Sequence, residues 1–513
     1  MSASVSKNIN PLVIRADAGE LIGTGHIFRC FSLAQMWRSV HGEASVIHLV
    51  TSGLPKPLKK LAVALRIKVF QLDLNMGDFD DEKSTAQVCA DALGGKVEFG
   101  WAILDGYQFK ENLIKALKDK GFRVLLLDDN QQLEHYSADL VLNQNVYASS
   151  AMYTSKEPAV TLLLGPRFAL LRSEFSSEVN SGVNEVLEIP EILLSMGGSD
   201  PKNATSHFLK GIAASESKCK VLVVVGAANP HLSEIKHTIE RFQLCAEIRI
   251  NESRISELME RSSLAICAGG TMVYELASLG VPSLLCEIAD NQKMVVLGME
   301  EAGASISLGK LEELSVVEIA KEFSSLIEDH NKMKSMSIAA KKLVDGNGSR
   351  RVVAAMDSLV LHIRPVNSDD AHLTFSWANS ATNRTASFYQ DPIAWEEHKI
   401  WFERILNCET SEYLVFEMPD GQPVGQVRLE GFPSTTLSLF LDKQWQGRGL
   451  GEWLLRRSIK HAEKRGVISI RAFIRPENLK SVKIFEGVGF KLRQDAVIND
   501  QQALYYHFDL KET

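Results

Sequence analysis

Residues 267–292 read CAGGTMVYELASLGVPSLLCEIADNQ, and this stretch contains the pattern of a strand, a turn, a helix and a second strand. An apolar segment ends at the pair Gly269–Gly270, and an amphipathic segment begins near Thr271. The apolar run PSLLCE follows it. A buried strand, a glycine turn, a helix and a second buried strand form a βαβ unit of a parallel sheet. The stretch therefore predicts an α/β fold of the Rossmann type.

The same alternation runs through the first two-thirds of the chain. Short apolar runs that end in Asp or Gly are separated by longer amphipathic segments, as in WAILD, RVLLLDD, EILLSMGG and KVLVVVGAA. Continuous apolar runs are typical of parallel strands that are buried on both faces. Ligands of such sheets bind at the carboxyl ends of the strands. The residues that follow each strand are therefore the candidates for function.

Two polar breaks divide the chain. The stretch 176–190 separates two α/β halves, and the segment DGNGSRR, residues 345–351, ends the second half. Beyond it the pattern changes, because WEEHKIWFERIL is helical whereas PVGQVRLEGF and TTLSLFLD are typical of antiparallel strands. We predict three domains, which span residues 1–180, 181–350 and 361–513.

Composition excludes several classes of protein. The 513 residues carry a net charge of -8, which argues against a nucleic-acid partner. No apolar run is long enough to cross a membrane, and the polar start MSASVSKNINP lacks the core of a signal peptide. The seven cysteines are scattered and form no C-x-x-C pair, so we expect neither a metal site nor disulfides. These features predict a reduced, cytoplasmic protein without a membrane partner.

The glycine turn of residues 267–292 has the chemistry of a nucleotide site. Gly269 and Gly270 allow a ligand to approach the backbone, and the helix start at Thr271 offers N–H groups and a positive dipole end to a diphosphate. Glu275 lies one helical turn further on, where its carboxylate would accept hydrogen bonds from ribose hydroxyls. Asn291 and Gln292, after the next strand, can donate to a sugar or phosphate. The alternative is an ordinary strand–turn–helix with a surface glutamate.

This segment closely resembles the nucleotide-binding half of two-domain glycosyltransferases of the B type, particularly the one that adds N-acetylglucosamine to a lipid-linked muropeptide. The resemblance implies that Gly269, Gly270 and Thr271 contact a diphosphate and that Glu275 holds the ribose. It also implies a uracil contact at the backbone near Ile255. A second glycine turn, SMGGSD, carries Gly197 and Gly198 and is expected to face the same cleft.

A histidine stands where another glycine-rich loop becomes a helix. Residues 14–30 read IRADAGELIGTGHIFRC, with Gly23 and Gly25 just before His26. A neutral imidazole can take a proton from water near pH 7, and the positive end of a helix dipole favours the neutral ring. The glycines leave room for a sugar ring against the backbone. The alternative is a histidine that only caps the helix.

This opening resembles the UDP-sugar hydrolases of pseudaminic acid synthesis. That family removes UDP from UDP-2,4-diacetamido-2,4,6-trideoxy-β-L-altropyranose, with water as acceptor and inversion at the anomeric carbon. The resemblance makes His26 the catalytic base and places Tyr107, just after the strand that ends at Asp105, near the reacting centre. Asp17 is a further catalytic candidate, and Arg15 and Gly25 are candidates for UDP-sugar binding. Arg15 and Asp17 either line the cleft or pair with each other.

The last domain has its own glycine turn. The sequence QGRGLG, residues 446–451, lies between an apolar strand and a basic amphipathic helix. Successive backbone N–H groups of such a turn point at one anion, and the helix dipole adds to them. With RPENLKSVKIFEGVGFKL further on, residues 361–513 resemble the GCN5-related N-acetyltransferases, whose turn binds the pyrophosphate of acetyl-CoA. The resemblance implies an acetyl-CoA site formed by Leu439, Leu441, Gln446, Gly447, Arg448, Gly449, Leu450, Gly451, Asn478 and Phe485.

The chain departs from that family at one position. A tyrosine that protonates the departing thiolate often stands where this chain has Phe485. Water, Tyr505 or Tyr506 replaces it, or the thiolate leaves unassisted, since a thiol pKa near 8.5 permits that. Near the start of the domain, Trp377 and Asn379 either shape the acceptor pocket or serve as core and cap residues.

Together the resemblances predict two Rossmann-like domains of the glycosyltransferase-B kind followed by an N-acetyltransferase domain. The predicted enzyme uses acetyl-CoA to acetylate the 4-amino group of a UDP-linked 4-amino-4,6-dideoxy sugar. It then hydrolyses the product to free sugar and UDP, without a metal. The alternatives are a glycosyltransferase fused to an acetyltransferase, and a non-catalytic protein that senses UDP-sugar or acetyl-CoA.

Overall fold

The computed structural model describes residues 11–19, 24–72, 82–95, 97, 100–176, 189–226, 229–252 and 254–510. Gly23, the start of the chain and most of the predicted break at 176–190 lie outside these residues. The chain forms two compact units, Met1–Val352 and Val353–Thr513. Among the described residues, no helix is long and apolar enough to span a bilayer.

The first sheet has seven parallel strands in the order β3-β2-β1-β4-β5-β6-β7. They are β1 Leu12–Ala16, β2 Ile47–Thr51, β3 Lys68–Gln71, β4 Trp101–Asp105, β5 Arg123–Leu127, β6 Leu140–Asn143 and β7 Thr161–Leu164. The α-helices of this part are α1 Gly25–His41, α2 Lys56–Ala64, α3 Glu82–Ala92 and α4 Glu111–Asp119. The strand order reverses between β1 and β4, which pair in register from Leu12↔Trp101 to Ala16↔Asp105.

The second sheet has six parallel strands in the order β10-β9-β8-β11-β12-β13. They are β8 Glu191–Ser195, β9 Lys220–Val225, β10 Ala246–Ile250, β11 Leu264–Ala268, β12 Ser283–Glu287 and β13 Ser305–Lys310. The helices are α5 Ala204–Ala214, α6 Leu232–Arg241, α7 Ile255–Arg261, α8 Met272–Leu279, α9 Lys293–Glu301, α10 Val316–Glu328 and α11 His330–Leu343, and α12 Gly348–Val360 continues into the second unit. Here the order reverses between β8 and β11.

Both faces of the second sheet are buried, which explains its continuous apolar strands. Leu193 of β8 joins a core with residues of α7, α8 and α9, whereas its neighbours Ile192 and Leu194 join a core with residues of α5, α6 and α10. Alternate residues of one strand therefore serve two cores. The predicted α/β architecture is confirmed in both halves of this unit.

The second unit holds a mixed sheet in the order β14-β15-β16-β17-β18-β20-β19. Its strands are β14 His362–Pro365, β15 Ser411–Glu417, β16 Pro423–Glu430, β17 Ser434–Leu441, β18 Ser469–Ile474, β19 Lys491–Ile498 and β20 Gln501–Asp509. Its helices are α13 Ala371–Ala378, α14 Ala381–Ala386, α15 Trp395–Leu406, α16 Leu450–Lys464 and α17 Leu479–Val488.

Two features of this sheet matter for function. The parallel pair β17–β18 is in register only from Ser434↔Ser469 to Thr436↔Arg471, so the strands separate beyond Thr436. In addition, the two faces carry different cores. Val427 of β16 packs with α16 and α17, whereas Val415 of β15 and Phe440 of β17 pack on the other face with α13 and α15.

Candidate functional site

A histidine–aspartate pair lies at the switch point of the first sheet. His26 is the second residue of α1, and Asp105 is the last residue of β4. The distance from His26 Nδ1 to Asp105 Oδ1 is 2.5 Å, and the Asp105 side chain is fully buried. Because an ionised carboxylate only accepts hydrogen bonds, the ring donates from Nδ1, and in the neutral imidazole Nε2 then holds the lone pair. This is the arrangement of a histidine that acts as a base through Nε2.

Arg29 fixes the carboxylate from the other side. It lies one helical turn after His26, and its Nε and Nη2 donate to Asp105 Oδ2 and Oδ1, both at 2.6 Å. Its Nη1 donates to both oxygens of Asp129, at 2.9 and 2.8 Å. Burial alone would raise the pKa of Asp105, but the charge and hydrogen bonds of Arg29 and the contact with His26 lower it to about 2. Asp105 is therefore ionised throughout the physiological range.

The sequence predicts His26 but not the three residues that hold it, Asp105, Arg29 and Asp129. Of these, only Asp105 enters the prediction, and only as the end of a strand. The usable signals are that Asp105 and Asp129 follow strands β4 and β5, which are neighbours in the sheet, and that Arg29 is one turn from the histidine.

Tyr107 lies beside this pair. Its ring meets the His26 ring edge-on, with 5.1 Å between centroids, and 46% of the residue is exposed. Partial burial, and then the negative charge of Asp129, raise the pKa of its hydroxyl. The tyrosine is therefore a neutral hydrogen-bonding group at the rim of the histidine site.

Arg15 and Asp17 adopt the pairing that the sequence left open. Arg15 Nη1 donates to Asp17 Oδ1 at 2.6 Å, and both residues are almost fully buried. The other Asp17 oxygen accepts from Gln108 Nε2 at 2.9 Å, and the Ser52 amide donates to Oδ1 at 2.7 Å. No hydrogen bond joins either side chain to His26 within the part of the chain that the structure describes. The pair braces the loops beyond β1, β2 and β4, and roles in catalysis and sugar binding stay predictions.

The second glycine turn lies at the switch point of the second sheet. Gly269 follows β11, and a Cβ at this position would lie 2.6 Å from Val296 Cγ2 and 3.2 Å from the carbonyl oxygen of Gln292. A glycine is thus required for the turn to pack against the start of α9. Nothing crowds Gly270, and Thr271 at the N-terminus of α8 is exposed. The first amides of α8 are therefore positioned to receive an anion.

Glu275 lies in the first turn of α8 beside Arg172, whose Nη2 is 3.4 Å from Oε1. Burial raises the pKa of this carboxyl, and the charge of Arg172 only partly offsets that effect. Such a carboxylate gains from a ligand that donates hydrogen bonds to it.

The other residues predicted to contact the nucleotide differ in their exposure and in their hydrogen bonds. Asn291 is exposed, whereas Gln292 Oε1 accepts from the amide of Ile288 at 3.0 Å. The exposed pair Gly197–Gly198 follows β8, the strand next to β11. Ile255 is buried at the start of α7, and Gly25 is an exposed residue at the start of α1.

A chain of hydrogen bonds links the two switch points. The Tyr274 hydroxyl, on α8 next to Glu275, donates to Asn145 Oδ1 and accepts from the Val146 amide, both at 3.2 Å. Asn145 Nδ2 in turn donates to Asp129 Oδ1 at 3.2 Å. The helix that carries Glu275 is therefore connected to the carboxylate that holds Arg29.

The turn between β17 and α16 follows the point where β17 and β18 separate. Gly447 and Gly449 have φ angles of 77° and 86°, and Gly449 is the N-cap of α16. A Cβ on Gly451 would lie 2.9 Å from Ile484 Cδ1, so this glycine lets α16 pack on α17. The Arg448 guanidinium lies over the Trp445 ring at 4.6 Å, and burial lowers its pKa.

Several predicted acetyl-CoA contacts have structural partners. Leu439 and Leu441 pack against the core under α16, and Leu450 is fully buried in it. Gln446 Nε2 donates to the carbonyl of Leu441 at 2.9 Å. Asn478 Oδ1 accepts from the Ser481 amide at 3.2 Å and caps α17.

The residues considered as proton donors are also fixed. Phe485 is buried against Phe490, with 4.8 Å between ring centroids. The Tyr506 hydroxyl donates to Glu486 at 2.8 Å, and burial together with this bond raises its pKa to about 12. Tyr505 stacks on Phe473 on the other face of the sheet. The structure therefore leaves Tyr505 as the more accessible hydroxyl.

Trp377 and Asn379 behave as core and bracing residues. Trp377 is 3% exposed and its Nε1 donates to Asp442 at 2.7 Å. Asn379 exchanges two hydrogen bonds with the backbone of Ile393, at 3.0 and 2.8 Å. Within the described ranges, no cluster of three His, Cys, Asp or Glu residues has the geometry to hold a metal ion.

Comparison with known proteins agrees with this architecture. Residues 361–491 match the acetyltransferase (GNAT) domain family, so the second unit is a GNAT domain and implies acetyl-CoA as co-substrate. The chain is 23% identical over 506 residues to the uncharacterized protein MJ1062 of Methanocaldococcus jannaschii. The alignment covers 94% of this chain and 96% of that protein.

Two further relatives each match about half of this chain. The spore coat polysaccharide biosynthesis protein SpsG of Bacillus subtilis is 24% identical over 48% of this chain and 73% of its own length. The pseudaminic acid cytidylyltransferase and UDP-2,4-diacetamido-2,4,6-trideoxy-beta-L-altropyranose hydrolase of Helicobacter pylori is 26% identical over 48% of this chain and 43% of that protein. These matches confirm the predicted fusion of a region similar to UDP-sugar hydrolases with a GNAT domain.

Proposed function

We propose that the chain is a bifunctional nucleotide-sugar enzyme of pseudaminic acid biosynthesis. The GNAT domain would transfer the acetyl group of acetyl-CoA to the 4-amino group of a UDP-linked 4-amino-4,6-dideoxy-N-acetyl-altrosamine. The first unit would hydrolyse the product, UDP-2,4-diacetamido-2,4,6-trideoxy-β-L-altropyranose, to free sugar and UDP. The observation that carries the proposal is the His26–Asp105 pair at one switch point, linked to a diphosphate-type turn at the other.

In the hydrolytic step, His26 Nε2 takes a proton from a water molecule while Asp105 stabilises the imidazolium through Nδ1. The water oxygen attacks the anomeric carbon as the bond from that carbon to the β-phosphate oxygen breaks. UDP leaves with the electron pair, and the N-terminus of α8 at Thr271 stabilises the charge on its diphosphate. Attack from the face opposite to UDP inverts the anomeric centre.

In the acetylation step, the sugar amine attacks the thioester carbonyl, the carbon–sulfur bond breaks and coenzyme A leaves as a thiolate, while the nitrogen releases a proton to water. The turn Gly447–Gly449 would hold the pyrophosphate, and the gap beyond Thr436 would admit the acyl arm between β17 and β18. Phe485 has no proton to donate, so the thiolate takes its proton from water or Tyr505, or leaves unassisted.

Substitution of the histidine tests this assignment. We expect His26→Ala to abolish UDP release while acetyl transfer continues, because the GNAT domain is a separate compact unit. His135→Ala, a histidine hydrogen-bonded to Ser155 in the same sheet domain, is the matched control. Loss of both activities would indicate misfolding. UDP release that appears only when a sugar or lipid acceptor is added would favour a glycosyltransferase, and tight binding without turnover would favour a sensor.

A further inference from the structure

Three arginines of the GNAT domain, Arg384, Arg428 and Arg475, lack a strong acidic partner among the residues described. Arg384 lies on α14, Arg428 lies on β16, and Arg475 directly follows β18. Arg475 Nη1 donates to the carbonyls of Thr385 and Ser387 at 3.2 and 3.3 Å, which brings its guanidinium to the end of α14. Arg475 thus reaches the helix that carries Arg384, and the charge of Arg428 acts on Arg384, so the three arginines form one cluster drawn from separate parts of the sequence.

These positive charges are only weakly neutralised. Arg384 Nη1 donates to a carbonyl, that of Asp391 at 3.2 Å, and its buried Nε has no hydrogen-bond partner. Over the ranges that the structure covers, no acid forms an ion pair with Arg384. Burial lowers the pKa of its guanidinium, and the like charge of Arg428 lowers it further. The like charge of Arg428 thus disfavours the charged form of Arg384 in this partly buried place unless an anion joins the two groups.

The two remaining arginines have distant or exposed acidic partners. Arg428 is 3.9 Å from Glu430 and lies over the Trp401 ring at 5.3 Å. Arg475 is 3.5 Å from Glu477, whose side chain is 73% exposed. Ion pairs of this kind are weak and leave hydrogen-bond donors available.

The cluster lies beside the opening between β17 and β18. Arg428 pairs in register with Ser438 of β17, two residues beyond Thr436, the last β17 residue paired with β18. Its side chain shares a sheet face with Gln426, which accepts from Tyr413 of the core under α13 and α15. The face toward α16 is the one that leads to the turn Gly447–Gly449. An acceptor that approaches from the arginine side would therefore meet an acyl group that enters from the other side.

We propose that Arg384, Arg428 and Arg475 form an anion site that binds the diphosphate of a nucleotide-linked amine acceptor. Planar guanidinium groups bind phosphate oxygens through paired hydrogen bonds, and a diphosphate carries enough charge to join three of them. The inference rests on the proposed function, because it names how the acetyltransferase recognises its acceptor. It also fixes the order of reactions, since a site that reads the diphosphate requires acetylation before UDP is removed.

The test compares three acceptors in the full-length chain by measuring thiol release from acetyl-CoA. The acceptors are the UDP-linked 4-amino sugar, its 1-phosphate and the free amino sugar. We expect kcat/KM to fall in that order. We expect Arg384→Gln and Arg428→Gln to raise the KM for the UDP-linked acceptor about 10- to 100-fold, as for loss of a charge-assisted hydrogen bond. Arg456→Gln, an exposed arginine paired with Glu452 on α16, is the control.

Three results would overturn the anion site. Wild-type enzyme that acetylates the free amine as well as the UDP-linked one would show that the diphosphate is not read. Variants that raise the KM for acetyl-CoA instead would show that the arginines bind the cofactor's own phosphates. Variants that lower the melting temperature and all activities alike would show that the arginines only stabilise α14.

If no amine is acetylated, the proposed function is refuted. A binding measurement still tests the anion site in that case. The measurement is the number of UDP molecules bound per chain, determined by calorimetry in the presence of saturating coenzyme A. We expect the Arg384→Gln, Arg428→Gln double variant to bind one UDP fewer than wild type. The difference holds whatever the first unit binds. Equal stoichiometry would contradict the anion site.

Discussion

Asp105→Asn is the perturbation that tests the histidine site most sharply. Asp105 accepts three short hydrogen bonds, one from His26 and two from Arg29, and an asparagine has only one oxygen to offer. If the new amide NH₂ faces Nδ1, the imidazole must place its proton on Nε2 and can no longer act as the base. If the NH₂ faces Arg29, two donors oppose each other in a buried place.

The expected loss follows from the tautomer. Removing the charge of a carboxylate that orients a catalytic histidine lowers kcat about 10⁴-fold in a serine protease. The imidazolium here lies 2.5 Å from a fully buried carboxylate, so we expect a loss of about 10³- to 10⁴-fold in UDP release. This corresponds to about 4–5.5 kcal/mol of transition-state stabilisation. The cost to folding should stay below the roughly 3–5 kcal/mol of a broken buried ion pair, because Arg29 keeps Asp129.

Acid unfolding supplies an independent readout. The pKa of Asp105 is about 2 in the folded chain, below the value of about 3.9 for an unfolded aspartate. Its ionised form therefore stabilises the fold above about pH 4, and this contribution disappears as the pH falls from about 4 toward 2. Asp105→Asn lacks it, so the variant should lose less stability over that range than wild type does.

The assay measures UDP release and acetyl transfer on the same preparation. Asp139→Asn is the control, because Asp139 also pairs with an arginine, Arg123, and accepts from the Val124 amide, but at the opposite edge of the sheet. A variant with normal melting and UDP release within tenfold of wild type would refute the role of Asp105. A parallel loss of acetyl transfer would indicate a general folding defect.

Three further substitutions probe the other groups. Gly449→Val should abolish acetyl transfer but not UDP release, because a side chain at φ 86° costs about 1–2 kcal/mol and covers the turn, and unchanged acetyl-CoA consumption would refute the loop assignment. Glu275→Gln should raise the melting temperature, since burial makes the ionised carboxyl unfavourable, yet should weaken UDP binding measured by calorimetry. Wild-type affinity for UDP should also fall as acid protonates Glu275, and an equally steep fall in the variant would count against the ribose contact. Tyr107→Phe should lower the kcat of UDP release about tenfold or more with KM unchanged if its hydroxyl orients water, whereas an unaltered kcat would leave the tyrosine without that role.

The features that the sequence predicted are those encoded within one βα unit. The turn at Gly269 and the histidine at the start of α1 are each defined by a few consecutive residues, because a strand, a glycine turn and a helix start are local structures. Continuous apolar strands likewise predicted sheets that are covered on both faces.

Partnerships between distant residues were not predictable in the same way. Asp105 and His26 are 79 positions apart in sequence and meet only because β4 pairs with β1. The order of strands in a sheet cannot be predicted from a local sequence pattern. The Tyr274–Asn145 bond spans 129 positions and depends on contact between the two sheet domains of the first unit. The sequence left open whether Arg15 and Asp17 line the cleft or pair with each other. They pair because both side chains are buried, and a buried charge is stabilised by an opposite charge.

In the proposed function, the first unit directs water to the anomeric carbon of a UDP-sugar that the GNAT domain of the same chain has acetylated. The most direct measurement is mass spectrometry of the products formed from the UDP-linked 4-amino sugar in ¹⁸O-labelled water, with and without acetyl-CoA. We expect acetylated free sugar and UDP only when acetyl-CoA is present, and we expect the UDP to carry no ¹⁸O, because the bond from the anomeric carbon to the phosphate oxygen breaks. Label in the β-phosphate of UDP, or accumulation of acetylated UDP-sugar without UDP release, would contradict the proposed function.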